Sequence, residues 1–404
     1  MVGFSPFVGA HIKPDFVRRV PAPAFDSMNG VQRAHYLETH PESYTLVTRS
    51  PGDGGPEDDA PRERLLELGV EALDRILALE AFEELGADNP AFFLYRLTSG
   101  AHIQLGVVGL IETADYTSGR VKRHEQVRAA RALHLSQHFE VLGVQSSPIA
   151  LGYRADPAMR SRLDDILSRN EPVLSFTSGD GLEQAVWVVD DPDDCRGLSA
   201  AMEHHDVYIM DGHHRAAAAG ALADRIGSPR ADHMLCVLFS DDRVKIEPFH
   251  RRVGVDGSKD RDVWVQETKD ALQLRECPDC ETELPAMEGE VGVYLDGQWW
   301  TGILPLPATD SPLDAIDPVR LQSQIIGPIL GVEPEHGGGQ ISYFLDAVDR
   351  RHLVDQLGPD EVLFVLREVT PTQVFDVADA GLDMPPKSTY VTPKPRSGVF
   401  LRRF

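Results

Sequence analysis

Cysteine is scarce in this chain. Four residues in 404, Cys195, Cys236, Cys277 and Cys280, are too few for a disulfide-stapled scaffold. The pair Cys277-Pro278-Asp279-Cys280 has the spacing of half a zinc site, but no second ligand pair lies at a recognisable distance, so it reads as two thiols at a turn after a helix over 263–274. Positive charge is also in deficit. Against 64 acidic residues stand 39 basic ones, a formal charge of −25, which would repel a phosphate backbone, and no basic stripe offsets it. Nucleic acid is therefore not an expected partner. No apolar run approaches the roughly 20 residues that span a bilayer. The start, Met1-Val2-Gly3-Phe4-Ser5-Pro6, lacks a basic region followed by an apolar core. A cytoplasmic protein without membrane contact is expected. The familiar nucleotide and metal signatures are missing too: no Gly-Lys pair for a Walker A loop, no GxGxxG opening a βαβ unit, and no HExxH.

What is present is ordinary globular material, 42% hydrophobic over a length that suggests two or three domains. Arg19-Val20-Pro21-Ala22-Pro23-Ala24-Phe25-Asp26 reads as extended, and residues 50–61, dense in Gly, Pro and acids, as an exposed loop. Residues 62–85 carry apolar side chains at helical spacing. Two β-rich runs, 91–98 and 102–111, flank Ser99-Gly100-Ala101 as a hairpin. Residues 119–128, with Arg120, Lys122, Arg123 and Arg128, lead into a helix through Ala129–Leu135, with Glu125 near its first turn, and strands and helices interleave onward. The class is α/β, with an α+β mixed sheet. The pattern restarts beyond Asp256, so the expected division is a catalytic region over 1–255, a second α/β lobe over 256–370 and a C-terminal tail over 371–404 that closes on the site. Neither internal repeat nor heptad is found, and the oligomeric state stays open, a homodimer among the options.

The most informative stretch runs from Val207 to Ala219. Val207-Tyr208-Ile209-Met210 is a short run of β-formers, and Ala216-Ala217-Ala218-Ala219 is strong helix material, so Asp211-Gly212-His213-His214-Arg215 falls at a strand-to-helix turn. Anions bind at such turns. Gly212 permits a tight bend, the first N–H groups of the helix point outward, and Arg215 offers a guanidinium fork. Asp211 would then hold Mg²⁺ through water, orient His213 or His214, or accept a proton; the plainer alternative is that it N-caps the helix. Glu203, His204, His205, Asp206, Asp211, His213 and His214 also crowd together. Adjacent histidines on an extended segment face opposite ways, however, which argues against a tightly bound transition metal.

Two further constellations stand out. Lys122-Arg123-His124-Glu125 with Arg128 and Arg131 is a local basic cluster in an acidic chain, suited to a polyanion with Glu125 as base, unless it is simply a solvated helix face. Met384-Pro385-Pro386-Lys387-Ser388-Thr389-Tyr390-Val391-Thr392-Pro393-Lys394 is a stiff, hydroxyl-rich tail that could close over a phosphorylated ligand, although propensity alone predicts disorder.

Taken in order, Pro23-Ala24-Phe25-Asp26, Asp115-Tyr116, Val121-Lys122-Arg123-His124-Glu125, Asp211-Gly212-His213-His214-Arg215, Pro248-Phe249-His250-Arg251 and Met384-Pro385-Pro386-Lys387-Ser388-Thr389-Tyr390 resemble domain-of-unknown-function family one-thousand-and-fifteen, nearly end to end. The Asp-Gly-His turn is also similar to that of the ParB/sulfiredoxin-like fold, where free-serine kinases use a glutamate as base and this turn for nucleotide phosphates. The resemblance implies ATP- or ADP-dependent phosphoryl transfer, with Mg²⁺, to a small hydroxylated metabolite such as free L-serine. Carried onto this chain, it makes Glu125, Asp211 and His213 catalytic. Gly212, His213, His214, Arg215, Lys122, Arg123, His124 and Lys387 would hold the nucleotide, and Asp26, Arg251, Ser388 and Thr389 the acceptor, with Asp211 reaching Mg²⁺ through water. The chain departs from the family pattern where Ala24-Phe25 replace a Pro-Tyr pair and where Gln184-Ala185-Val186 replace a histidine ahead of Trp187. A nucleotide-binding switch with little turnover and a metal-dependent hydrolase are the alternative functions.

Overall fold

The computed structural model describes residues 2–23, 27, 28, 30–48, 60–333, 339–346 and 348–404. The motif residue Asp26, most of the acidic loop over 50–61, and His336-Gly337-Gly338 lie outside them. The chain forms two units, one from residues 1–244 together with 393–404, the other from 245–392. This differs from three consecutive parts. The boundary expected at 255 lies at 244, and residues 371–392 belong to the second unit. The last twelve residues return to the first because Phe400–Arg403 pairs with Ala10–Ile12 on one side and Val144–Gln145 on the other.

A nine-stranded mixed sheet organises the first unit. Across it run Val121–Lys122, Val207–Asp211, Ile149–Tyr153, His233–Ser240, His102–Glu112, Phe92–Ser99, Glu183–Val189 and Leu174–Thr177, with Phe4–Ser5 pairing beside His102–Glu112. Two pairings are parallel, Val121–Lys122 with Val207–Asp211 and Ile149–Tyr153 with His233–Ser240; the remainder are antiparallel, including the expected hairpin. Alternation gives the sheet two different faces. Phe92, Leu94, Val107, Ala185 and Trp187 point into a core closed by Met159, Leu163, Leu198 and Met202 from the helices Pro157–Arg169 and Pro192–Met202. On the opposite face Phe93 and Tyr95 pack against Phe7 and Phe400. That second face is covered by a four-stranded sheet containing the C-terminal strand.

Local chemistry accounts for where elements start. Asp156 and Asp191 cap the helices Pro157–Arg169 and Pro192–Met202, each of which begins on proline, whose missing N–H costs nothing there. The N-terminal region also contains a helix, Gly30–Thr39, that apolar periodicity did not announce. In the second unit a six-stranded antiparallel sheet runs Arg275–Glu276, Gln298–Ile303, Glu290–Leu295, Glu361–Val365, Phe249–Gly254, Ile341–Leu345. The helices Arg261–Leu272 and Gln322–Leu330 close its core around Trp264, Leu321, Ile325 and Phe364. Cys277 and Cys280 are joined as a disulfide across the turn Pro278–Glu281, which corrects the expectation of two free thiols: the turn brings their Cα atoms to 5.5 Å, a bridging separation. Among the described residues no helix is long and apolar enough to cross a membrane.

Candidate functional site

The strand Val207–Asp211 is buried on both faces until its last residue, and the helix His213–Ile226 begins two positions later. Gly212 makes the bend. Its φ of 101° is a left-handed conformation that side chains rarely adopt, and a Cβ there would meet the Arg215 guanidinium at 2.8 Å. Gly212 is therefore the N-cap residue, and Asp211 is not, because both its oxygens are taken elsewhere. Oδ2 accepts from Arg215 Nη2 at 2.5 Å and Oδ1 from Lys394 Nζ at 2.8 Å. Burial alone would raise the pKa of this carboxyl; Lys394 and Arg215 outweigh burial and hold it well below the usual carboxylate range.

The same clamp fixes Arg215, whose Nη1 donates to the carbonyls of Ser147 at 3.0 Å and Pro148 at 2.7 Å. Its fork thus fastens the turn to a neighbouring loop instead of standing open. The helix itself has no side-chain cap at its N-terminus, so its first N–H groups and dipole are available to an anion.

The segment 121–128 lies against this turn, and not as the helix start that its sequence suggested. Val121 and Lys122 are drawn into parallel pairing with Val207 and Tyr208, which keeps the chain extended, and the helix begins only at Ala129. His213, 3% exposed, is held between the two: its Nδ1 lies 3.3 Å from Glu125 Oε2, and its Nε2 accepts from the His124 amide at 3.5 Å. One neutral tautomer, with the proton on Nδ1, satisfies both contacts. The hydrogen bond from His213 is the largest influence on Glu125 and draws its pKa down, so the half-exposed carboxylate is ionised at neutral pH. His124 stacks edge-on against His213 with ring centroids 4.6 Å apart. Burial, and then His213, push its pKa far down, leaving it neutral. His214 accepts from the Arg128 amide at 3.2 Å, and burial followed by Arg131 lowers its pKa as well.

Of the surrounding cations, Lys122 pairs with Asp206 at 2.9 Å and lies 5.4 Å from the Tyr208 ring centroid, while Arg123 is exposed. The turn thus brings together Glu125, Asp211, Gly212, His213, His214, Arg215, Lys122, Arg123 and His124. The other expected residues sit in the second unit. Arg251 is buried, donates to the Phe249 carbonyl and lies over Tyr343; burial brings its pKa down to about 10. Lys387 adopts a φ of 59° and lies over Phe249, Ser388 donates to the Pro385 carbonyl at 2.8 Å, and Thr389 is half-buried. The residue that sequence reasoning missed is Lys394. Its tail was singled out for its two lysines, but nothing local tells which of them reaches Asp211. Asp115, another residue of the family pattern, accepts from the Gly3 amide and from Arg120 and so acts as a staple.

The uncapped helix start after Gly212 is the feature of this turn suited to a phosphate group. A directly ligated metal does not fit. Both Asp211 oxygens already bond cations, and no cluster of three metal-ligating side chains occurs among the described residues.

The model of the DUF1015 family, described as a protein of unknown function, matches residues 4–321. No curated protein matches the chain. Among solved structures it is similar to a mutant free serine kinase in complex with ADP, at 14% identity and a TM-score of 0.34, over 70% of this chain and 87% of that one. A C-terminally truncated SbnI from Staphylococcus aureus gives 11% identity and a TM-score of 0.38 over 72% and 85% of the two chains. A conserved hypothetical protein from Pyrococcus furiosus gives 15% and 0.31 over 71% and 90%.

Proposed function

Starting from a chain that belongs to the DUF1015 family, we propose that it is a nucleotide-dependent small-molecule kinase. It moves a phosphoryl group from ATP or ADP, carried with Mg²⁺, to the hydroxyl of a small metabolite, most simply free L-serine or a related hydroxy amino acid. The first unit is then a ParB/sulfiredoxin-like core working in the cytoplasm. The observation that carries this reading is the placement of an ionised carboxylate, Glu125, by a buried histidine, His213, that itself opens an uncapped helix after a glycine turn. Phosphoryl transfer asks for charge neutralisation, positioning and a proton acceptor, and these residues supply each.

In this mechanism the N–H groups of His213, His214 and Arg215 face the terminal phosphates, and Arg123 and Lys122 offset charge that develops on the transferred group. Asp211, neutralised on both oxygens, keeps the turn rigid rather than repelling the phosphate. Glu125 takes the proton of the acceptor hydroxyl. His213, donating through Nδ1, keeps Glu125 oriented and charged until that moment. Mg²⁺, when bound with the nucleotide, supplies screening between its phosphates.

The test is product detection. Purified protein incubated with ATP or ADP, Mg²⁺ and a panel of hydroxy amino acids and hydroxy acids should yield a phosphorylated acceptor. Nucleotide affinity should fall at least about tenfold when His213→Ala and Gly212→Val remove the turn's geometry. Equal nucleotide affinity in those folded variants, or no phosphorylated product with any acceptor, overturns the proposal.

A further inference from the structure

The disulfide of the second unit closes a loop with only Pro278 and Asp279 between its cysteines. A loop that short restrains the unfolded chain least, so stability is a poor account of why the bridge is there. The turn is also held without it. The Cys277 amide donates to the Trp299 carbonyl at 3.0 Å, continuing the pairing of Arg275–Glu276 with Gln298–Ile303, and the amides of Cys280 and Glu283 donate to the carbonyls of Cys277 at 3.2 Å and Asp279 at 2.9 Å. Arg350, buried and paired with Asp346, donates to the carbonyls of Cys280 at 3.3 Å and Glu283 at 2.8 Å, and Arg351 pairs with Glu281 at 2.7 Å. None of these contacts uses a sulfur atom. They keep the two Cα atoms at 5.5 Å, a bridging separation, whether the S–S bond is closed or open.

Access and charge add to this. Cys277 and Cys280 are both partly exposed, whereas Cys195 and Cys236, in the first unit, are buried. Cys280 packs against the cluster of Trp299, Leu353, Leu363 and Val365, to which Cys277 does not belong, and Cys277 is followed by the exposed Pro278 and Asp279. The Cys277 sulfur is thus the one open to attack, with Cys280 leaving. Acids stand at Glu276, Asp279, Glu281 and Glu283, and no basic residue interrupts them. Arg351 offsets Glu281, so the surroundings of the bridge stay acidic.

We propose that Cys277 and Cys280 form a reversible thiol–disulfide exchange site whose reductant is a dithiol with neutral or positive surroundings. A thiolate of the reductant attacks Cys277 Sγ, the S–S bond breaks, and its electron pair leaves on Cys280 Sγ, which takes up a proton. The second thiol of the reductant gives up its proton and attacks the reductant's own sulfur in the mixed disulfide, and Cys277 leaves and is protonated. Two electrons and two protons have then passed from the dithiol, which becomes a disulfide. A monothiol fails at the second step, because Cys280, held beside Cys277, expels it by attacking back. Like-charge repulsion from the four acids disfavours anionic thiols and disulfides. This site is independent of the phosphotransferase reading.

The full chain, folded, is treated with excess dithiothreitol, then iodoacetamide, and mapped by mass. Alkylation should appear at Cys277 and Cys280 and not at Cys195 or Cys236, with a cooperative melting curve retained, and oxidised dithiothreitol should restore the bridge. Cys280→Ser, confirmed folded by melting, keeps Cys277 for trapping. It should form a mixed disulfide with the dication cystamine about tenfold faster than with anionic oxidised glutathione at low ionic strength, a ratio that shrinks as salt is added. Cys277→Ser should react more slowly than Cys280→Ser with both. The proposal is overturned if the bridge resists dithiothreitol until the chain is denatured, if the purified chain carries both thiols free and oxidised dithiothreitol closes no bridge, or if the pair retains zinc. Equal rates with cystamine and oxidised glutathione overturn the assignment of the partner.

Discussion

Two carboxylates, one in each unit, occupy nearly the same local setting. Asp211 ends the strand Val207–Asp211 and Asp346 comes just after the strand Ile341–Leu345; each pairs with an arginine four residues on, Arg215 and Arg350. Each arginine then donates to two carbonyls of a distant loop, Ser147 and Pro148 in one case, Cys280 and Glu283 in the other. A third group completes each clamp, Lys394 for Asp211 and the buried His250 for Asp346. The chain beyond the two clamps differs. After Asp211, a glycine with positive φ opens a fourteen-residue helix that no side chain caps. Beyond Asp346, the helix Arg350–Val354 has five residues, and Asp349 already accepts from the Arg351 amide. An arginine four residues after an aspartate at a strand end is thus a staple in both units. Only the first leaves backbone donors and a dipole for a ligand.

The strongest test of that difference removes chemistry from one side alone. Glu125→Gln keeps shape and removes charge, and should lower turnover by about 10²–10⁴-fold while nucleotide affinity stays nearly intact. Saturating kinetics with chemistry rate-limiting are the measure. A wild-type rate would move the base to another carboxylate.

Next come the clamps themselves. Asp211→Asn and Asp346→Asn each strand partly buried cations, and each should cost about 2 kcal/mol in denaturant unfolding, reduced from the fully buried figure because the carboxylates are a quarter to a third exposed. Only Asp211→Asn should also impair nucleotide binding. Loss of nucleotide affinity in Asp346→Asn as well would mean that the two clamps are not functionally distinct.

Acid should separate the units further. Burial, and then His134, lower His138 from its ordinary value to about 4, so between pH 4 and 6.5 the unfolded chain binds more protons than the folded one. Stability contributed by neutral His138 is therefore complete above about pH 6.5 and lost as pH falls, by about 2 kcal/mol at pH 5. Asp346, held at about 2 first by its hydrogen bond from His250, gives its stabilisation up only below the ordinary aspartate range. Melting curves at pH 7 and 5 for wild type and His138→Phe should converge in acid; parallel shifts would remove His138 from the account.

The smallest expected effect is Gly212→Ala. A Cβ at φ 101° costs about 1–2 kcal/mol of backbone strain and presses on Arg215. Gly119, also at positive φ, has nothing within 4 Å, so Gly119→Ala should pay strain alone and leave nucleotide affinity untouched.

Much of the site was legible before folding. Gly212 between β-formers and an alanine run announces a strand-to-helix turn, and Glu125 beside His124 in a basic patch announces a carboxylate kept ionised. The hairpin at Gly100 and the helix over 261–272 were legible for the same reason: each is set by residues within a few positions of one another. Less accessible was Lys122, where propensity favoured helix and pairing with Tyr208 imposed an extended chain instead.

Local geometry was therefore written in the amino-acid order: the mixed α/β class, the glycine turn, the strand buried up to Asp211 and the deficit of positive charge. Partnership came only with the folded chain. Whether Arg215 faces a ligand or a loop carbonyl, whether Lys387 or Lys394 reaches Asp211, and whether Arg350 holds the Cys280 carbonyl all depend on contacts made across 67 to 183 residues of chain. Periodicity reports only the neighbours along one element. An ion pair closed by a returning C-terminal strand has no local signature, because its stability comes from the sheet that brings the two ends together.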